Sequence, residues 1–136
     1  MSVFYTDGAC SGNGYAHSSG GWGVVEVDNN DNIIWQDQGK KSPTTNNEME
    51  LTAILKALEH IGETQFVLPT IYTDSAYCAN LINNWMYNWA RNNWKKSDNQ
   101  TIKNLEIIQQ IYQLANRADI KKVSGHSGVK WNEYAD

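Results

Sequence analysis

At 136 residues, with 40% hydrophobic and 19% charged residues, the chain has the makeup of one globular domain with a single core, spanning residues 1–136. A net charge of −4 argues against a protein that coats nucleic acid nonspecifically, but leaves room for a local basic patch. No apolar run is long enough to span a bilayer, and the chain starts straight into a strand with no charged leader, so a cytoplasmic protein with no membrane partner is expected.

Ser2–Thr6 is β-branched and aromatic and predicts a first strand, ended by Asp7-Gly8. A carboxylate at the C-terminal end of a first strand is where open α/β sheets put their ligands. Ala9–Gly21, rich in Gly and Ser, predicts a turn-rich loop. Strands follow at Trp22–Val27 and Ile33–Gln38, joined by a hairpin turn over Asp28–Asn32, whose Asn and Asp residues tolerate left-handed backbone angles. Three strands joined this tightly form an antiparallel meander.

Thr45 or Asn46 then caps a helix in which Leu51, Ile54, Leu55, Leu58 and Ile61 recur at helical spacing. Glu50 falls on or beside that apolar stripe, where the competing reading is a flank acid that snorkels to water; Glu48 leans outward. A fourth strand over Gln65–Thr73, interrupted or edged by Pro69, ends at Asp74-Ser75 and passes into a helix. It repeats the pattern of the first: apolar strand, Thr, Asp, small residue. If the two strands are adjacent and parallel, two carboxylates stand side by side; the plainer role for Asp74 is a helix N-cap.

In the segment from Trp85 to Lys96, Trp85, Tyr87, Trp89 and Trp94 interleave with Arg91, Lys95 and Lys96, a mixture suited to bases, sugars and phosphates. Its asparagines mean that it cannot all be core. An amphipathic helix over Thr101–Ala115, a short strand over Asp119–Ser124, a loop over Gly125–Asn132 and the start of a helix at Trp131–Asp136 complete the chain. Meander followed by crossover units predicts an α/β fold, a mixed sheet flanked by helices. Cys10 and Cys78 have neither metal-ligand nor redox spacing and read as two free thiols.

Five stretches in order now name a family. Tyr5–Cys10, Thr44–Leu51, Tyr72–Ser75, the Trp-rich basic segment, and Gly125-His126-Ser127-Gly128 with Asn132-Glu133 and Asp136 together resemble type 1 ribonuclease H, over essentially the whole chain. The resemblance implies the ribonuclease H-like fold, a five-stranded mixed sheet with helices on both faces. It implies cleavage of the RNA strand of RNA–DNA hybrids, leaving 3′-hydroxyl and 5′-phosphate; a monomer is the default expectation. It implies that Asp7, Glu50, Asp74 and Asp136 hold two magnesium ions, with manganese as a substitute. Asp7 would bridge both ions, Asp136 would join it at the water-activating one, and Glu50 and Asp74 would hold the other. His126 would match the family's mobile histidine, which assists proton transfer or product release.

The chemistry accounts for these residue types. Magnesium takes oxygen ligands, few of them from protein, and two such ions roughly 4 Å apart serve an in-line displacement. Acids gathered without metal repel, which raises the pKa of some. The resemblance also implies that Cys10, Asn13, Asn46 and Asn47 read RNA 2′-hydroxyls, that Thr45 and Asn104 grip a DNA-strand phosphate, and that Trp85 and its neighbours Trp89, Arg91, Trp94, Lys95 and Lys96 form the family's basic handle. Turn formation is the plainer role for the asparagines.

Several residues depart from the pattern. Glu48 stands where bacterial members often carry a basic residue, Ala76 replaces a polar one, the handle has fewer lysines, and Tyr15–Ser19 lengthens a loop. Weaker hybrid binding is expected, not a different reaction. The family's helix also continues past the position of Asp136, so with the sequence stopping there the fourth ligand is expected to be loosely held, and added helix to lower the magnesium requirement. The rival readings are a DNA nuclease or polynucleotidyl transferase of the same fold, which would lack the 2′-hydroxyl readers, and a noncatalytic hybrid-binding module, which would have lost an acid.

Overall fold

The structure, a computed structural model, describes residues 2–12, 18–62, 67–96, 98 and 100–123. Strands β1 (Val3–Ser11), β2 (Ser19–Val27) and β3 (Ile33–Lys41) form the antiparallel meander, and β4 (Thr70–Thr73) and β5 (Asp119–Lys122) add to it in parallel, giving the order β3-β2-β1-β4-β5. The β2–β3 turn is built as its composition predicts: the Asp28 carboxylate accepts from the backbone of Asn30 and Asn32, and Asp31 takes φ 66°.

β1 does not stop at Asp7. It continues to Ser11, because Asp7–Ser11 pair residue by residue with Gly23–Ser19 of β2. The expected Ala9–Gly21 loop is thereby shortened at both ends, and β3 likewise runs past Gln38 to Lys41. On its other side β1 pairs with β4 only as far as Thr6↔Thr73. Asp7 therefore lies where one neighbour of β1 ends and the other continues. Of the predicted fourth strand, Thr70–Thr73 is strand, Val67–Pro69 lies outside it, and Gln65 and Phe66 lie outside the described residues.

Helix α1 (Asn46–His60) is capped by Thr45, whose hydroxyl accepts from the Glu48 amide at 3.1 Å. It packs on β1, β2 and β4 and against α4 (Leu105–Leu114). Leu51, Ile54 and Leu58 of α1, Ile108 and Ile111 of α4, and Phe4, Val24, Ile71 and Ile120 of the sheet share one core. α4 begins later than predicted because Asn104 takes a left-handed conformation (φ 61°), although Ile102 before it is buried.

Between α2 (Ala76–Asn80) and α3 (Met86–Arg91), residues Leu81–Trp85 form a π turn. Its wider spacing lets Leu81 and Met86, five residues apart, both reach the core, while Trp85 between them stays 38% exposed. The predicted Gly125–Asn132 loop and the Trp131–Asp136 helix lie outside the described residues. No helix among the described residues is long and apolar enough to cross a membrane.

Candidate active site

The Thr-Asp repeat becomes a structural pair. Thr6 and Thr73 stand side by side on β1 and β4, both fully buried. The Thr6 hydroxyl donates to the Tyr72 carbonyl at 3.0 Å, and the Thr73 hydroxyl accepts from the Ser75 amide at 3.1 Å. The next residues are Asp7 and Asp74. Asp74 does not cap the helix that follows; Ser75 does, accepting from the Cys78 amide at 3.1 Å.

Glu50 comes to the same place from α1. β1 and α1 touch backbone to backbone at Gly8, where an added Cβ would lie 2.4 Å from the Met49 carbonyl carbon and 2.5 Å from the Glu50 nitrogen. Only glycine permits that approach. Gly8 also donates its amide to Asp7 Oδ1 at 2.9 Å. Asp7, Glu50 and Asp74 each present an oxygen within 4.8 Å of the others. Asp7 and Glu50 are buried and Asp74 is half-buried.

Such a cluster is costly without a counter-charge. Burial, then the charges of Asp74 and Asp7, push the Glu50 carboxyl up to about 9, against a small opposing effect of the Gly8 amide. Glu50 Oε2 is buried and has no hydrogen-bond partner among the described residues. A buried orphan oxygen among acids is what a hard divalent cation satisfies, so Asp7, Glu50 and Asp74 fit a metal of the magnesium class. Behind them the Cys78 thiol is pushed up to about 12, chiefly by burial, with the Glu50 and Asp74 charges adding to it; it is an inert core thiol.

Glu48 does not simply lean outward. It is half-buried, pairs with Lys41 and accepts from the Thr44 hydroxyl at 2.7 Å. Burial pushes its carboxyl up, but the Lys41 and Thr44 hydrogen bonds and the Lys41 charge outweigh this, and its pKa is lowered.

The remaining predicted residues divide into groups. Asn46 and Asn47 are exposed at the start of α1. The hydroxyl of Thr45 serves the helix cap, and the thiol of half-buried Cys10 donates to the Thr44 carbonyl at 3.3 Å. Asn104 lines a groove with Lys40, Lys41, Glu48 and Met49. Trp85, Trp89 and Lys95 line another with Asn88 and Asn92, and exposed Arg91 donates to Asn88. Trp94 is placed differently. It packs edge-on to Tyr112 at 5.2 Å against the core, and does not line that groove. Lys96 is half-buried. Asn13, His126 and Asp136 lie outside the described residues. Lys40, Lys41 and the buried Ser18 are the residues that sequence reasoning missed. Ser18 carried no periodic or motif signal.

A mixed five-stranded sheet whose parallel β1–β4 pair ends in clustered acids defines an α/β protein of the ribonuclease H-like class. The family model for RNase H matches residues 1–136. Among curated proteins, the chain is 40% identical over 139 residues to the ribonuclease H of Jannaschia sp. (strain CCS1), covering 98% of this chain and 85% of that one. Among solved structures it is similar to LC9-RNase H1, a type 1 RNase H with the type 2 active-site motif, at 30% identity and TM-score 0.80 over 98% of this chain and 67% of that one. At 22% identity it shares its fold, with TM-score 0.84 over 99% of this chain and 19% of that one, with the foamy viral protease-reverse transcriptase in complex with RNA/DNA hybrid. The chain belongs to the ribonuclease H family.

Proposed function

We infer that this protein is an endoribonuclease that hydrolyses the RNA strand of RNA–DNA hybrids, leaving 3′-hydroxyl and 5′-phosphate ends. The observation that carries this is the convergence of Asp7, Glu50 and Asp74 within 4.8 Å around Glu50 Oε2, which has no hydrogen-bond partner among the described residues. Family membership gives the reaction class, and the fold-sharing reverse transcriptase, whose structure holds an RNA/DNA hybrid, supports the substrate.

Asp7, Glu50 and Asp74, joined by Asp136, would hold two magnesium ions. Bound there, such ions supply an activated water and charge stabilisation at the leaving oxygen. The chain's own part is placement. Thr6 and Thr73 hold the strand ends from which Asp7 and Asp74 project, Gly8 admits α1, and Glu50 releases its carboxyl proton when its charge is compensated. His126 assists proton transfer or product release. Asn46, Asn47, Cys10 and Asn13 read 2′-hydroxyls, the donor-acceptor group that tells RNA from DNA. The thiol of Cys10 itself donates to the Thr44 carbonyl. Thr45 and Asn104 grip a DNA phosphate, while Trp85, Trp89, Arg91 and Lys95 hold the DNA strand. Residues 1–136 act as one monomeric domain in the cytoplasm.

Incubation of labelled hybrid, duplex RNA and duplex DNA with magnesium or chelator tests this. Only the hybrid's RNA strand is cut, and only with metal. Comparable cutting of duplex DNA would overturn the substrate assignment.

A further inference from the structure

Ser18 lies where β2 begins and is completely buried. A buried hydroxyl must be satisfied, and this one spends both of its capacities on a single residue's backbone. Its Oγ donates to the Thr44 carbonyl at 2.8 Å and accepts from the Thr44 amide at 2.9 Å. The same carbonyl also accepts from the Cys10 thiol at 3.3 Å. The two segments also pack closely at Gly20. A Cβ on Gly20 would stand 2.7 Å from Thr44 Cγ2 and 2.6 Å from the Ala9 carbonyl oxygen. From Thr44 the connection continues into α1: its hydroxyl donates to Glu48, whose amide is capped by Thr45. Asn46 and Asn47 follow at once, exposed.

We propose that Ser18 is a positioning residue that sets the spacing between two segments reading the RNA strand, the β1–β2 end carrying Cys10 and the start of α1 carrying Asn46 and Asn47. This rests on the hybrid-cleavage reading above. A doubly bonded side chain fixes distance and also orientation, as a one-residue β-bridge would, and it joins segments 26 residues apart in sequence. Removing the hydroxyl orphans the Thr44 amide and loosens the link between the two segments, which then leans on the weaker bond from the Cys10 thiol to the Thr44 carbonyl, while Asp7, Glu50 and Asp74 keep their own supports. The cost therefore falls on substrate binding and not on the chemical step.

The test is steady-state cleavage of hybrid in magnesium by wild type, Ser18→Ala and Ser18→Thr, at a temperature where melting curves show all three folded. Ser18→Ala is expected to raise KM roughly five- to tenfold with kcat within about twofold, because the two hydrogen bonds that hold the Thr44 backbone are lost. Ser18→Thr, which keeps the hydroxyl, restores KM. An unchanged KM in folded Ser18→Ala overturns the proposal. So does a loss of kcat as large as the loss of kcat/KM, because the defect then lies in the chemical step and not in substrate binding. If Ser18→Ala does not fold, Ser18→Cys, a weaker donor at the same place, is read by the same two criteria. A wild type that fails to cut hybrid would overturn the functional reading itself, before any variant is compared.

Discussion

The backbone nitrogen of Glu50 lies so close to Gly8 that a Cβ there would stand 2.5 Å from it. The obstruction is backbone, not a flexible side chain, so it cannot be relieved by a rotamer change. Gly8→Ala must move α1 away from β1 and carry Glu50 away from Asp7. Overpacking of this kind costs about 1–3 kcal/mol. The variant is expected to unfold at lower denaturant and to need more magnesium for half-maximal cleavage. A normal magnesium titration would show that the seam does not position Glu50.

Asp74→Asn removes one acidic group from the cluster. It is expected to abolish hybrid cleavage and, with chelator present, to raise the melting temperature, because repulsion is relieved. In saturating magnesium the gain shrinks, since metal stabilises the wild-type native state. A variant that melts lower than wild type in chelator would speak against the cluster.

Glu50 makes metal-free stability depend on pH, with a definite sign. Its folded-state value of about 9 lies above the ordinary 4.5. Its contribution is therefore fully present below 4.5 and is lost as pH rises toward 9. In chelator the wild type is expected to lose stability across that range, and Glu50→Gln to lose less. Glu48, shifted the other way, acts below its ordinary value and leaves this window unaffected. Denaturant midpoints at several pH values decide it; parallel curves for the two proteins would mean that Glu50 does not titrate there.

The handle divides by burial. Arg91→Ala with Lys95→Ala, both at exposed residues, is expected to weaken hybrid binding and flatten its salt dependence by up to about 0.9 log-log units for each phosphate no longer neutralised. Trp94→Ala removes a ring packed on Tyr112 and should lower stability more than affinity. Salt titrations and melting curves separate the two effects. An unchanged salt slope in the double variant would show those cations to be merely solvated.

What the sequence disclosed was local pattern. Apolar spacing predicted α1 and its buried stripe, and the repeated Thr-Asp predicted adjacent parallel strands ending in two carboxylates. Where it fell short, the deciding partners were distant in sequence. β1 continues through Gly8–Ser11, residues with little strand preference, because β2 pairs with them. Trp94 looked like its neighbouring tryptophans until Tyr112, on α4, gave it a place against the core. The π turn that exposes Trp85 leaves no composition signature, and Ser18 is intelligible only beside Thr44.

If Asp7, Glu50 and Asp74 share a divalent cation, metal binding must release a proton, and that release is the decisive observable. Magnesium or manganese is titrated calorimetrically into the nucleic-acid-free protein at neutral pH, in buffers of different ionisation enthalpy. Glu50, carrying its proton below about 9, must give it up to become a ligand. Proton release is expected in the wild type, and its disappearance in Glu50→Gln. Metal binding with no proton released, or equal release from Glu50→Gln, would mean that Glu50 is not a ligand and that the three acids do not share the ion.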